Sequence, residues 1–273
     1  MNYNQLIQRT KDIINEFDKN EYPETFEILN ITLNGKLDRQ APIQHFCELI
    51  FECDRTLSFP PPVAELIKNA LEFLIDQGDD YAMNNLGALY YDGRLGEQDF
   101  KKSVYYYEMS AKLGNRQAQE NLGYCYYYGR LGKPDYKKAY HYFILRALEN
   151  EIISLYKIGD MYKNGYYVDK NEKQAFSLYM HCKDLLTEKT EIQSGSDVYV
   201  RLADCFYYGI GTTVNYNKAL TYYQKAEINY IQRISNGDFM YIKQYKRCIE
   251  MQNLARTELQ KNIPSYSWVK KEY

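Results

Sequence analysis

The chain has no long apolar run. No stretch of roughly 18 consecutive apolar residues occurs in its 273 positions, so no membrane span is expected. It has no surplus of positive charge either. Its 34 Lys and Arg stand against 36 Asp and Glu, a formal charge of −2, and no basic stripe recurs. A nucleic-acid platform held by counterion release needs such a footprint, so no nucleic-acid partner is expected. The opening MNYNQLIQRTKDIINEF lacks a basic segment followed by an apolar run and a small-residue cleavage site. No signal peptide is expected, and the expected compartment is the cytoplasm.

Groups that do chemistry are also sparse. There are three histidines, His45, His141 and His181, and none has a spacing that suggests ligation. His181 and Cys182 are adjacent, and side chains one apart on a helix do not share a face. The six cysteines, Cys47, Cys53, Cys125, Cys182, Cys205 and Cys248, form no C-x-x-C, and no pair recurs within a unit as a clamp would. Buried free thiols are the expected state, ahead of disulfides or metal ligands. G-x-G occurs at Gly209-Ile210-Gly211, but no G-x-G-x-x-G is present. No catalytic residue, cofactor or metal is expected. An unrecognised pair among the many carboxylates is the route left open to a hydrolase.

What the sequence does have is a period. Leu86-Gly87, Leu122-Gly123 and Ile158-Gly159 are spaced by 36 residues, and Leu202-Ala203 follows after 44. The turn glycines Gly93, Gly129, Gly165 and Gly209 keep the same phase, as do the small residues Ser103, Ala139, Ala175 and Ala219. A period of this length predicts stacked helix pairs. In the second unit Ala118, Leu122, Cys125 and Tyr126 share one helical face. Gly129 ends that helix, where positive φ costs glycine nothing. Asp135 is the candidate N-cap of a second helix that carries Ala139, Tyr142, Phe143 and Ala147. Asp99, Asn171 and Asn215 hold the cap position in the other units. Each unit exposes an apolar face that only a neighbour can bury.

These residues resemble the Sel1-like repeat family, a relative of the tetratricopeptide repeats with a longer loop between its helices. The copies read AMNNLGALYYDGRLGEQDFKKSVYYYEMSAKLG, AQENLGYCYYYGRLGKPDYKKAYHYFILRALEN, LYKIGDMYKNGYYVDKNEKQAFSLYMHCK and YVRLADCFYYGIGTTVNYNKALTYYQKAE. Gly211 fits the second loop glycine, as do Gly96 and Gly132 with a one-residue shift, Tyr167 stands near that place in the third copy, and Ala203 replaces the helix glycine in the fourth. The resemblance implies an all-α fold, a right-handed α/α solenoid of stacked antiparallel helix pairs with helical caps. It implies an adaptor or scaffold for protein partners and leaves the partner unnamed.

Three regions are expected: residues 1–79 with a degenerate repeat, four repeats over 80–114, 115–150, 151–185 and 195–227, and a capping helix with a tail over 228–273. Residues 1–18 read as an amphipathic helix through Leu6, Ile7, Ile13, Ile14 and Phe17. Residues 41–53 and PPVAELIKNALEFLIDQGDD read as a helix pair, with Pro60 to Pro62 permitting a helix start. ITLNGKL reads as a helix stop or as a hairpin turn at Asn34-Gly35, the stop being favoured. The insertion around 186–196 is expected to lengthen the helix over 176–188 and its loop, or to bulge at one edge. Residues 238–262 read as one long helix, a terminal cap or else a dimerisation helix. The tail from Pro264, with Trp268, is either a loose end or a docking segment.

The candidate binding positions lie opposite the Leu86-type residues on the first helices, which usually line the concave surface of such solenoids. They are Asn84, Ala88 and Tyr91, then Glu120, Tyr124 and Tyr127, then Tyr156, Asp160 and Lys163, then Val200, Asp204 and Tyr207. Tyr128 and Tyr208 extend them. Tyrosine offers contact area and a hydroxyl at low entropic cost, so the expected ligand is a protein or peptide. Packing between helices is the competing role, because 25 of the 31 tyrosines fall within 81–230 and the repeat itself demands several per copy. Self-association through the terminal helices is a further expected use.

Overall fold

In the computed structural model, residues 1–15, 20–38, 41–52 and 58–261 are described. Phe17, Cys53 and the tail with Trp268 lie outside them. The described residues are helical, with no strand among them. Among the described residues fourteen α-helices follow in order: α1 Tyr3–Ile14, α2 Pro23–Leu33, α3 Pro42–Glu52, α4 Pro61–Ile75, α5 Asp80–Asp92, α6 Phe100–Lys112, α7 Arg116–Tyr127, α8 Tyr136–Ala147, α9 Ile152–Asn164, α10 Glu172–Leu185, α11 Glu188–Thr190, α12 Ser196–Tyr208, α13 Tyr216–Ser235 and α14 Ile242–Lys261. The chain divides into two compact units, Met1–Ala139 and Tyr140–Tyr273.

The same local chemistry builds each helix pair. The first helices end on left-handed glycines, Gly93, Gly165 and Gly209, at φ of 72°, 72° and 74°. The loop then returns to one backbone bond. The amides of Asp99, Asp135, Asn171 and Asn215 donate to the carbonyls of Tyr90, Tyr126, Tyr162 and Phe206, at 2.9, 2.9, 2.8 and 2.8 Å. Those four side chains then cap the second helices, accepting from the amides of Lys102, Lys138, Gln174 and Lys218 at 2.9 to 3.0 Å. One residue thus closes the loop and starts the next helix. The third loop departs at Tyr167, which holds φ +65° at the place where the fourth copy has Gly211 at φ +68°. That conformation is unfavourable for a bulky residue.

The Leu-Gly pair has a packing reason. A Cβ at Gly159 would lie 2.6 Å from Tyr179 Cε1, and one at Gly87 would lie 2.7 Å from Tyr107 Cδ1. The glycine lets a second-helix tyrosine lie against the backbone of the first helix. Leu86, Tyr107, Ile158 and Tyr179 are buried at these contacts.

In the first unit, α1 to α4 pack with α5 around Leu6, Leu29, Phe46, Ile67, Leu71 and Leu86. Asn2 and Gln5 form a reciprocal capping box at α1. The Asn34-Gly35 segment is a helix stop: Asn34 caps α2 and Gly35 takes φ +66°. In the second unit, α12, α13 and α14 enclose Tyr199, Phe206, Tyr223, Tyr230, Cys248 and Met251.

Two expectations are corrected. The long C-terminal helix begins at Ile242 after a 3₁₀ turn at Phe239–Tyr241, because α13 itself runs on to Ser235. The insertion does not extend α10, which ends at Leu185, but lengthens the connection from there to α12. Leu186 turns extended, and Thr187 caps α11 through a capping box with Thr190. The chain then passes through a π-helical stretch, Glu191–Gly195, into α12. Tertiary bonds explain the outcome. Tyr199 Oη donates to Glu191 Oε1 (2.7 Å), Asn229 Nδ2 to the Glu191 carbonyl (3.0 Å) and Arg233 Nη1 to the Gln193 carbonyl (2.6 Å). The overlong α13 supplies two of these donors.

Cys47, Cys125, Cys182, Cys205 and Cys248 are buried free thiols. Burial pushes each thiol up to about 12. A thiol reagent at pH 8 is therefore expected to leave at least these five unlabelled in the native protein and to label all six after denaturation. Rapid native labelling of two or more would contradict the packing described.

Candidate partner-binding site

In the first unit, α5 and α7 carry the candidates. Asn84 and Glu120 are buried, Ala88, Tyr91, Tyr124 and Tyr127 are half-buried, and Tyr128 is 50% exposed. Asn84 Oδ1 accepts from Asn121 Nδ2 at 3.0 Å, joining the two first helices. The aromatic members gather at the helix ends. Tyr124 stacks on Tyr128 at 6.0 Å, and Tyr127 meets Tyr128 and Tyr136 edge-on at 5.1 and 5.7 Å. Tyr91 meets Phe100 edge-on at 5.2 Å.

Arg130 binds this set together. Its Nε donates to Tyr91 Oη at 2.8 Å, and its guanidinium lies 5.4, 5.3 and 5.7 Å from the ring centres of Tyr91, Phe100 and Tyr128. Burial raises the Tyr91 phenol against the lowering pull of Arg130, so it stays protonated. The patch thus combines ring faces, hydroxyls and a cation on an accessible surface.

The second unit uses its candidates differently. Asp160 is buried on α9. Its Oδ1 and Oδ2 accept from Arg201 Nε and Nη2 at 2.8 and 2.7 Å, and Oδ1 also accepts from Tyr179 Oη at 2.7 Å. The Arg201 guanidinium lies 4.1 Å from the centre of the buried Tyr156 ring. The pattern recurs one helix pair later. Asp204 accepts from Tyr223 Oη at 2.5 Å and from Arg247 Nη2 at 2.9 and 3.0 Å. In both sets the tyrosine comes 19 residues after the aspartate. The arginine comes from the next first helix or, for α14, from the helix in its place. These aspartates therefore tie successive helices together. Lys163, Val200 and Tyr207 are half-buried, and Tyr208 is 56% exposed, its hydroxyl 3.8 Å from Met251 Sδ.

The structure therefore brings Tyr91, Tyr124, Tyr127 and Tyr128 together, and places Asp160 and Tyr156 in an internal pairing. The sequence reading missed Phe100 and Arg130 in the first set, and Tyr179, Arg201, Tyr223 and Arg247 in the second. The signal for the second set was present as aspartate and tyrosine at a fixed offset in two copies. Apart from these, Gln44, Cys47, Glu48, Leu71, Asp79 and Tyr81 help line a cleft of about 320 Å³. Its thiol, pushed up to about 12, is a poor nucleophile. Among the described residues, no three of His, Cys, Asp or Glu gather as a metal set, and no helix is long and apolar enough to cross a membrane.

Paired helices joined by one recurring loop bond and one recurring cap define a helical repeat protein of the solenoid class. Residues 80–115, 116–147, 152–179 and 196–227 each match the Sel1 repeat. The chain belongs to the Sel1 repeat proteins. Among solved structures it is similar to a Sel1 repeat protein from Oxalobacter formigenes, at 22% identity and a TM-score of 0.52 over 60% of this chain and 65% of that one. It is also similar to c5321, a protective antigen of uropathogenic Escherichia coli strains displaying an SLR fold, at 22% identity and a TM-score of 0.55 over 91% of this chain and 53% of that one. The chain thus spans less than two thirds of either relative, and at this identity the likeness is one of fold. No curated protein matches it significantly. Sel1 repeats are generally protein-interaction modules.

Proposed function

We propose that this protein is a cytoplasmic scaffold that binds a protein or peptide through a patch at the ends of its first helices, without catalysing a reaction and without a cofactor. The observation that carries this reading is the accessible patch of Tyr91, Tyr124, Tyr127, Tyr128 and Arg130. Partly exposed rings beside a held cation match the composition of binding hot spots. Tyr208, Tyr207 and Lys163 supply the corresponding surface of the second unit.

The test compares capture of partners from source-cell lysate by the intact chain and by a Tyr91→Ala/Tyr128→Ala variant. The substitutions avoid Asp160, whose loss would disturb folding. A partner retained by the intact chain is expected to weaken by tenfold or more in the variant, about 1.4 kcal/mol or above, with melting little changed. Equal capture by both would move the site off this patch.

Self-association is the second reading. Ile228, Ile231, Phe239 and Met240 are exposed apolar residues on α13 and the turn before α14. Light scattering across a concentration series decides it: a dimer dispersed by Phe239→Glu/Met240→Glu supports the reading, and a monomer throughout removes it.

A further inference from the structure

The repeat places arginine at one position twice, and the two copies differ. Arg94 and Arg130 are 36 residues apart, each just after a turn glycine. Arg94 is 3% exposed. Its guanidinium lies 4.7 Å from the ring centre of Phe59, and its Nη2 donates to the Ile50 carbonyl at 3.2 Å. The first copy thus shows the position filled, with a ring beneath the guanidinium and an acceptor at its outer nitrogen.

Arg130 has the same support and lacks the acceptor. Three rings lie against its guanidinium, and Tyr91 anchors Nε. Among the described residues neither Nη has an acceptor, no carboxylate pairs with the group, and the side chain is exposed. An arginine fixed at Nε presents its outer edge in a set orientation. The ordering entropy that weakens most surface ion pairs is then already largely spent.

We propose that Arg130 is a carboxylate-binding point: its outer guanidinium edge takes an acidic side chain of a partner peptide, while Tyr91, Phe100 and Tyr128 take the apolar residue beside it. The inference rests on the scaffold reading and names the chemistry of its ligand. The planar fork matches a carboxylate. One guanidinium suits a singly charged group better than a phosphate, and the chain shows no basic stripe to serve a phosphate-rich polymer. The ring faces favour an apolar or aromatic neighbour in the ligand.

The test uses the full chain and an array of short, capped peptides in which glutamate alternates with leucine or tyrosine. Each is matched by a glutamine version, a phosphotyrosine version and one with a free C-terminus. Glutamate peptides are expected to bind about tenfold or more tighter than their glutamine partners. Arg130→Gln is expected to erase that difference with melting unchanged, and Arg130→Lys to restore part of it. Four results overturn the proposal: equal binding of glutamate and glutamine peptides, no binding of either at millimolar concentration, an unchanged preference in Arg130→Gln, or a preference for phosphotyrosine or for a free C-terminus. The capture experiment separates the two readings. A partner lost in Tyr91→Ala/Tyr128→Ala but kept in Arg130→Gln leaves the scaffold reading standing and removes the carboxylate point.

Discussion

Asp160→Ala is expected to cost about 3 kcal/mol of unfolding free energy, the lower end of the range for breaking a buried pair. The carboxylate and the Arg201 guanidinium are 10% and 17% exposed and share two hydrogen bonds, with Tyr179 supplying a third. Removing Asp160 leaves a charge over the Tyr156 ring with, among the described residues, Asp197 at 3.5 Å to offset it. Asp204→Ala is the internal control. It has the same kind of partners, but Arg247 meets it through Nη2 alone, is 46% exposed and regains water. Its cost is expected near 1 kcal/mol, as for more exposed pairs. Urea midpoints that fall equally in the two variants would contradict this ordering.

The same pair sets an acid limit. Burial by itself raises the Asp160 carboxyl; the Arg201 charge, the Arg201 and Tyr179 hydrogen bonds and Lys157 outweigh it, and its pKa lies below the usual 3.8. A depressed carboxyl contributes stability that is complete above its unfolded pKa and disappears as pH falls through its folded one. The stability gap between the natural chain and Asp160→Asn is therefore expected to be full near neutrality and to close below about pH 4. A gap that persists unchanged at pH 3 would mean that the pair's charge is not its contribution.

Gly159→Ala is expected to destabilise by about 2 kcal/mol, although alanine is the better helix former by about 1 kcal/mol. The new methyl would stand 2.6 Å from Tyr179 Cε1. That ring is fully buried and tied to Asp160 by its hydroxyl, so it has nowhere to retreat. The fourth copy holds Ala203 at this place, fully buried, and its packing already includes the methyl. Ala203→Gly is accordingly expected to cost about 1 kcal/mol through lost packing and added backbone freedom. Thermal melts of the two variants check both signs. A Gly159→Ala chain as stable as the natural one would show that the second helix can shift.

Local requirements made the fold readable. Gly209 marks a helix end because its φ of 74° suits glycine, and Asn215 marks a start because its side chain meets the Lys218 amide three residues on. Such signals recur each period and need no knowledge of the tertiary structure. The site was less readable because its decisive contacts are distant in sequence. Asp160 has the look of a surface residue until Arg201, 41 positions later, is set against it. The π-helical course of Glu191–Gly195 depends on Asn229 and Arg233, well beyond any local window. Arg130 occupies an ordinary loop position, and only its contrast with the buried Arg94 sets it apart.

The most direct measurement of the scaffold reading is site-specific photo-crosslinking. A benzoylphenylalanine at position 128 reports on the Tyr91–Arg130 patch, and one at position 105, where Tyr105 is 57% exposed on α6, reports on a surface outside it. The account predicts a discrete partner adduct at 128, absent at 105 and lost when Tyr91→Ala is added. Adducts of equal yield at both positions, or at 105 alone, would contradict it.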